Sequence, residues 1–162
     1  MNQPIKYFVI LLLAAAACQS PKEKALKNIK SLESNDSAFS NELMRQLKTA
    51  YLDFTTAYPD DENTPEYLFK AAQRCIVLQE SKEAVSLLSK ICEQYPKSTY
   101  SEDALFLQAY TFENNLNDTA TARVHYNDFI KKYPKGELTE DAKLALVNLG
   151  KSPEDIIGEI GE

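Results

Sequence analysis

The sequence predicts an all-α protein of about seven helices, arranged as antiparallel helix pairs that stack into a solenoid. Two observations predict this class. Apolar residues recur at intervals of three and four rather than in strict alternation, which is typical of amphipathic helices. The dipeptide Tyr-Pro also occurs three times, at intervals of 37 and 38 residues, and periods of this length are typical of repeat proteins.

The composition argues against several classes of function. A net charge of −6 leaves no basic excess with which to neutralise phosphates, so we expect no nucleic-acid partner. One His and 4 Gly offer little material for histidine metal sites or glycine-rich phosphate loops. The sequence contains no recognisable nucleophile motif. We therefore predict a non-enzymatic protein without cofactor, metal or catalytic residues, and expect His125 on a helix surface.

The first 17 residues have the pattern of a signal peptide. Lys6 precedes an uninterrupted apolar run at 8–17, which ends in four alanines before Cys18. This run is about half of the roughly 20 residues that a helix needs to span a bilayer. The segment resembles a bacterial lipoprotein signal, in which Cys18 is lipidated and becomes the new N-terminus. The alternatives are cleavage without lipidation and an uncleaved anchor.

A lipidated Cys18 implies an exported protein held at a membrane. The next residue is Gln19 and not an aspartate, which would resemble an inner-membrane retention signal. We therefore expect the outer membrane, with the domain facing the periplasm; the inner membrane and the cell surface are the alternatives. Export also permits disulfides. Two interpretations of Cys75 and Cys92 stay open: small buried residues, or a bridged or redox pair.

Each predicted helix follows from its apolar spacing and from residues that begin or end helices. Pro65 is acceptable in a first helical turn, and each Tyr-Pro proline stands where a helix must stop. Ser81, Ser101, Asp118 and Thr139 are the predicted N-caps. The predicted helices span residues 22–34, 38–57, 65–79, 82–94, 102–115, 119–132 and 139–149, with a short one near 153–160.

The repeated helix pairs resemble tetratricopeptide (TPR) repeats. In that pattern the first helix has a large apolar residue and a small one four further on; the second has a small residue, a large partner and a terminal proline. The matching residues are Leu68, Ala72, Ala84, Leu88 and Pro96, and then Leu105, Ala109, Ala122, Tyr126 and Pro134. The period exceeds the usual period of about 34 residues. Ile91 and Phe129 stand where a small residue is common.

The resemblance divides the chain into four segments. These are a signal peptide at 1–17, the lipidated cysteine with a tether and first helix at 18–37, a TPR-like solenoid at 38–149, and a C-terminal capping helix or tail at 150–162. A Tyr-Pro followed by a lengthened, acidic link is similar to two groups of periplasmic TPR proteins. One is the lipoprotein of the outer-membrane β-barrel assembly machinery, and the other is the Tol-Pal coordinating protein.

Acidic pairs recur where the links lead into the next helix pair. They are Asp60-Asp61, Glu102-Asp103 and Glu140-Asp141. Carboxylates at helix starts stabilise the helix dipole, by about 0.3–1 kcal/mol each. Ca²⁺ ligation is the alternative interpretation.

In TPR proteins the first helix of each pair lines a concave groove. The resemblance therefore implies six candidate partner-binding residues: Phe69, Gln73, Ile76, Phe106, Tyr110 and Glu113. Aromatic residues at these positions favour an apolar or helical peptide over a C-terminal carboxylate. The alternative is that these aromatics only pack neighbouring helices.

Together these features predict a membrane-anchored periplasmic TPR scaffold that mediates protein–protein interaction in the cell envelope. Outer-membrane protein assembly and Tol-Pal-type envelope maintenance are the roles that the resemblance implies. The expected partners are a protein or peptide and, through Cys18, the membrane. The alternatives are a secreted soluble ligand- or peptide-binding TPR protein and a homo-oligomeric structural subunit.

Overall fold

The computed structural model of the chain describes residues 19–35, 40–151 and 154. Every regular element in these ranges is an α-helix. They are α1 (Pro21–Glu33), α2 (Asn41–Ala57), α3 (Thr64–Val77), α4 (Ser81–Gln94), α5 (Tyr100–Asn114), α6 (Thr119–Lys132) and α7 (Thr139–Asn148). The predicted signal peptide, Cys18 and the C-terminal capping segment from Ser152 onward lie outside the described residues, apart from Glu154. No described helix has the length and apolar character needed to cross a membrane.

The helices stack in chain order. Each helix packs on the one before it and the one after it, and α3 additionally contacts α5. The pairs α1–α2, α3–α4 and α5–α6 therefore lie side by side, with their first helices next to one another. Helix α7 follows α6 in the position of another first helix. This arrangement confirms the predicted all-α, TPR-like helical solenoid.

Three apolar clusters fill the space between successive helices. The first contains Tyr51 and Phe54 of α2, the second contains Leu88 of α4, and the third contains Tyr126 and Phe129 of α6. All five side chains are fully buried. The alanines of the repeat pattern are fully buried as well, and their small side chains let the helices approach closely. These are Ala72, Ala84, Ala109 and Ala122.

The links between helix pairs form a repeated hydrogen-bonded turn. The Thr64 hydroxyl donates to the Tyr58 carbonyl oxygen at 2.6 Å, and the Thr139 hydroxyl donates to the Tyr133 carbonyl oxygen at 2.5 Å. Both threonines are buried, as expected for hydroxyls that have an internal partner. In these two links the tyrosine of the Tyr-Pro dipeptide thus anchors the start of the helix that follows it.

The tyrosine side chains also connect one link to the previous one. Tyr95 Oη donates to the Pro59 carbonyl oxygen at 2.8 Å, and Tyr133 Oη donates to Ser101 Oγ at 3.1 Å. These bonds join residues 36 and 32 positions apart in the chain. The recurring Tyr-Pro dipeptide is therefore both a helix stop and a contact between neighbouring repeats.

Three of the four predicted N-caps are wrong. Only Asp118 caps its helix, since its carboxylate accepts a hydrogen bond from the Thr121 amide at 3.0 Å. Ser81, Ser101 and Thr139 lie within the first turns of helices that begin at Ser81, Tyr100 and Thr139. All three side chains are buried. Two of the hydroxyls have other partners: Tyr133 Oη donates to Ser101 from the next link, and Thr139 donates to the Tyr133 carbonyl oxygen within its own link.

Candidate functional site

The structure brings three of the six predicted partner-binding residues together in one pocket. The pocket lies between α5 and α7 and encloses about 310 Å³. Phe106, Tyr110 and Glu113 line it from α5, and Leu144 and Asn148 line it from α7. The pocket thus lies between the first helices of two successive pairs, as the TPR resemblance implies.

The other three predicted residues, which lie on α3, do not line this pocket. Phe69 is half-buried, with its ring centroid 5.6 Å from that of Tyr100. Ile76 is half-buried against the second apolar cluster, whereas Gln73 is exposed. For Phe69 and Ile76 the structure therefore favours a packing role.

Phe106 forms the floor of the pocket. Its ring makes edge-to-face contacts with Tyr126 and Phe129, at centroid distances of 5.8 and 5.6 Å. The wall is more accessible, because Tyr110 is 45% exposed and Leu144 is 60% exposed. Sequence reasoning missed Leu144 as a site residue, although the second Tyr-Pro interval of 38 residues leads from Phe106 to it.

The carboxylate of Glu113 is held by a hydrogen bond within the protein. Tyr126 Oη donates to the Glu113 carboxylate at 2.7 Å. Burial and this hydrogen bond raise the pKa of Tyr126 well above its usual range, so the phenol stays protonated at neutral pH. The other charged residue that lines the pocket is Asp141, and no basic side chain does so. The pocket is therefore apolar with an acidic rim.

The comparison with known families agrees with this geometry. The family model of the tetratricopeptide repeat matches residues 66–98 and 103–136. These two stretches cover α3–α4 and α5–α6 together with the link that follows each pair. These two stretches of the chain are similar to TPR repeats. No curated protein matches it. TPR repeats generally bind protein partners, so they support a protein-interaction scaffold.

The two described cysteines are free thiols, so no bridge joins them in the structure. Cys75 is fully buried in the second apolar cluster, and burial raises the pKa of its thiol to about 12. Cys92 is half-buried, and burial raises its pKa as well. Both thiols therefore stay protonated at neutral pH. This arrangement agrees with the interpretation as small buried residues.

Among the residues that the structure describes, one group of three potential metal ligands occurs. It comprises Cys75, Glu80 and Glu83, whose ligand atoms lie within 4.8 Å of one another. Lys48 Nζ already donates to both carboxylates, at 2.6 and 3.1 Å. A metal ion would have to displace this ammonium group and ionise a thiol of raised pKa. The three residues lie at the end of α3, in the turn that follows and at the start of α4, and Lys48 reaches them from α2.

The acidic pairs occupy different surroundings in the three links. Asp61 pairs with Lys22 and accepts from the Asn63 amide at 2.9 Å; these bonds outweigh burial and hold its pKa below the usual range. Burial, with Glu137 nearby, instead raises the pKa of Asp103. Glu140 pairs with Lys143 on its own helix. The three links therefore use their acidic residues differently: Asp61 pairs with a lysine of α1, whereas Glu140 pairs within its own helix.

His125 is half-buried rather than on an open helix surface. Its ring stacks on Phe112 at a centroid distance of 5.0 Å, and its Nδ1 atom is buried without a hydrogen-bond partner. Burial lowers the pKa of His125, although Asp128 opposes the shift. The neutral imidazole is therefore the form that the fold favours.

This environment predicts a pH dependence of stability. The pKa of His125 is lower in the folded state than in the unfolded chain, so protonation of His125 favours unfolding. The contribution of the neutral imidazole to the free energy of unfolding is therefore complete above about pH 6.5 and declines as the pH falls. We expect the free energy of unfolding, measured with urea, to decline from pH 7 to pH 5.5. His125→Phe should reduce this slope while keeping the stacking on Phe112. Equal slopes in both proteins would contradict the assignment.

Proposed function

We propose that this chain is a lipid-anchored TPR scaffold without enzymatic activity, which holds a protein partner in the bacterial cell envelope. The observation that carries the proposal is the pocket between α5 and α7. The large apolar side chains of Tyr110 and Leu144 are exposed there, above a floor formed by Phe106. Such surfaces mark interaction sites, and an apolar segment of a partner, such as one face of a helix, matches them.

The location in the envelope is supported by the sequence alone. The apolar run at 8–17 ends directly before Cys18, as in lipoprotein signals, and Gln19 favours the outer membrane. The lengthened links resemble those of periplasmic TPR proteins in outer-membrane protein assembly and in the Tol-Pal system. We accordingly propose that the partner is a protein of one of these envelope systems.

Removing the exposed apolar groups should abolish partner binding without unfolding the protein. We expect Tyr110→Ser combined with Leu144→Ser to reduce co-purification of the partner from the native envelope at least about tenfold, since each group buries apolar surface worth about 1.5–3 kcal/mol. Val124→Ser is the matched control, because Val124 is 58% exposed on α6 and does not line the pocket. The melting temperatures of the double variant and of the Val124→Ser protein should equal that of the parent protein. A partner retained by the double variant would rule out this pocket.

The lipid anchor has a separate test. Cys18→Ser removes the sulfur to which lipid is attached, so we expect the protein to move from the membrane fraction to the soluble fraction of the envelope. Cys92→Ser is the control, because Cys92 is half-buried in the solenoid. If the Cys18→Ser protein still fractionates with membranes, the anchor is wrong, whereas the pocket can still be tested.

A further inference from the structure

The charges of the chain are distributed unevenly between α1 and the rest of the solenoid. Residues 19–35 contain four lysines and two glutamates, whereas residues 36–162 contain 13 basic against 22 acidic residues. The net charge is therefore +2 in the first segment and −9 in the second. Such an asymmetry creates a field across the whole molecule, and that field orients the molecule towards surfaces of opposite charge. The positive end of the field lies at α1.

Three lysines of α1 form an exposed surface on one side of the helix, which we call the lysine face. It consists of Lys24, Lys27 and Lys30, all of which are exposed. Steps of three residues in an α-helix place these side chains within an arc of about 120°. The opposite side of α1 carries Ile29, which is 1% exposed and belongs to the first apolar cluster. The lysine face therefore points away from the solenoid.

The other charged residues of α1 already have partners. Lys22 pairs with Asp61 in the first link, and Glu33 accepts from a lysine of α3 at 2.8 Å. Glu23 lies beside the lysine face, but its carboxylate accepts from the Ser20 amide at 2.8 Å as part of the N-cap. The lysine face itself forms no ion pair with any residue that the structure describes. Its three ammonium groups are therefore available to an external anionic partner.

The surface is bounded on the side of α1 that faces α2. A depression there is lined by Asn28 of α1 and by Glu42, Arg45 and Asp53 of α2. Its two acidic residues outnumber its one basic residue, so this flank does not extend the positive surface. A broad anionic surface would thus contact the lysine face and not this flank.

The position of α1 in the chain keeps the lysine face near the membrane if Cys18 carries lipid, so the inference rests on the anchor proposed above. Helix α1 begins at Pro21, three residues after Cys18. Three residues of extended chain span at most about 11 Å. The Debye length at physiological ionic strength is about 8 Å. The start of an anchored α1 thus stays at about the distance over which a charged bilayer attracts cations.

We propose that the lysine face binds the anionic phospholipid surface of the membrane in which Cys18 is anchored. The three ammonium groups attract the phosphates of anionic lipids without requiring one defined lipid site. This contact lays α1 along the membrane and turns the acidic remainder of the solenoid towards the aqueous phase. Because the helices stack in chain order, the pocket between α5 and α7 then lies at the end away from α1, where a protein partner can reach it.

Vesicle flotation of a protein that consists of residues 19–162 tests the lysine face separately from the anchor. This protein lacks Cys18 but retains every described helix and all three apolar clusters. The vesicles consist of phosphatidylcholine alone, or of phosphatidylcholine with an equal amount of anionic phosphatidylglycerol. At low salt we expect binding to the mixed vesicles to be at least about tenfold stronger than to the neutral ones. About 0.5 M NaCl should release the protein, because salt screens the attraction.

The triple variant Lys24→Gln/Lys27→Gln/Lys30→Gln should bind the mixed vesicles at least about tenfold more weakly than the parent protein. The reason is that each lysine near an anionic surface strengthens binding about fivefold. A matched control removes three exposed lysines that lie elsewhere in the solenoid: Lys82→Gln, Lys97→Gln and Lys135→Gln. The control should bind like the parent protein, and both triple variants should melt at its temperature.

The outcomes separate the lysine face from the lipid anchor. Equal binding to the two kinds of vesicle, an equal loss in the two triple variants, or no binding to the mixed vesicles would overturn the proposal. The fractionation of Cys18→Ser tests the anchor alone when the membranes are washed with about 0.5 M NaCl, which releases protein held only by charge. If Cys18→Ser stays with washed membranes while the lysine variant loses vesicle binding, the lysine face is supported and the anchor is wrong.

Discussion

Replacing Phe129 with alanine is expected to lower the free energy of unfolding by about 3–5 kcal/mol, the usual range for a buried aromatic truncated to alanine. Phe129 is fully buried in the third apolar cluster, with ring centroids 5.6 Å from Phe106 and 5.5 Å from Tyr133. The TPR pattern commonly has a small residue at this position. The family pattern alone would therefore predict a mild effect, whereas the packing predicts a severe one.

Urea unfolding followed by circular dichroism measures this difference. Val124→Ala is the control, since Val124 lies on the same helix and is 58% exposed. Its effect should stay within about 0.5 kcal/mol. A loss below about 1 kcal/mol for Phe129→Ala would mean that the third cluster rearranges to fill the space.

Most of the fold could be predicted because the signals for it are local. Apolar spacing and the Tyr-Pro dipeptides indicated all seven described helices to within about three residues of their observed bounds. The N-caps were harder because the hydroxyls have partners other than the free amides of the first turn. Ser101 accepts from Tyr133 of the next link, and Thr139 donates to the Tyr133 carbonyl oxygen within its own link.

The candidate site was predictable only in part, for the same reason. Helical spacing placed Phe106, Tyr110 and Glu113 on one face of α5, and the structure places them in one pocket. The second wall of that pocket, Leu144, comes from α7.

A tyrosine–glutamate hydrogen bond joins the two helices in two of the three helix pairs. Tyr126 on α6 donates to Glu113 on α5, and Tyr51 on α2 donates to Glu33 on α1. In the middle pair, the position of Tyr126 is taken by Leu88 and that of Glu113 by Ile76. Both polar partners are thus replaced together by apolar residues, which leaves neither group unpaired.

Tyr126→Phe is therefore expected to destabilise the protein by about 1.5–3 kcal/mol, because the Glu113 carboxylate loses its donor in partly buried surroundings. Adding Glu113→Ile should recover most of this loss, since it removes the unpaired charge as the middle pair does. Urea unfolding of the two single variants and the double variant gives the coupling energy between the residues. Tyr110→Phe, at an exposed tyrosine of α5, should be neutral. Additive effects of the two substitutions would show that the bond contributes nothing, and that Tyr126 acts through its ring alone.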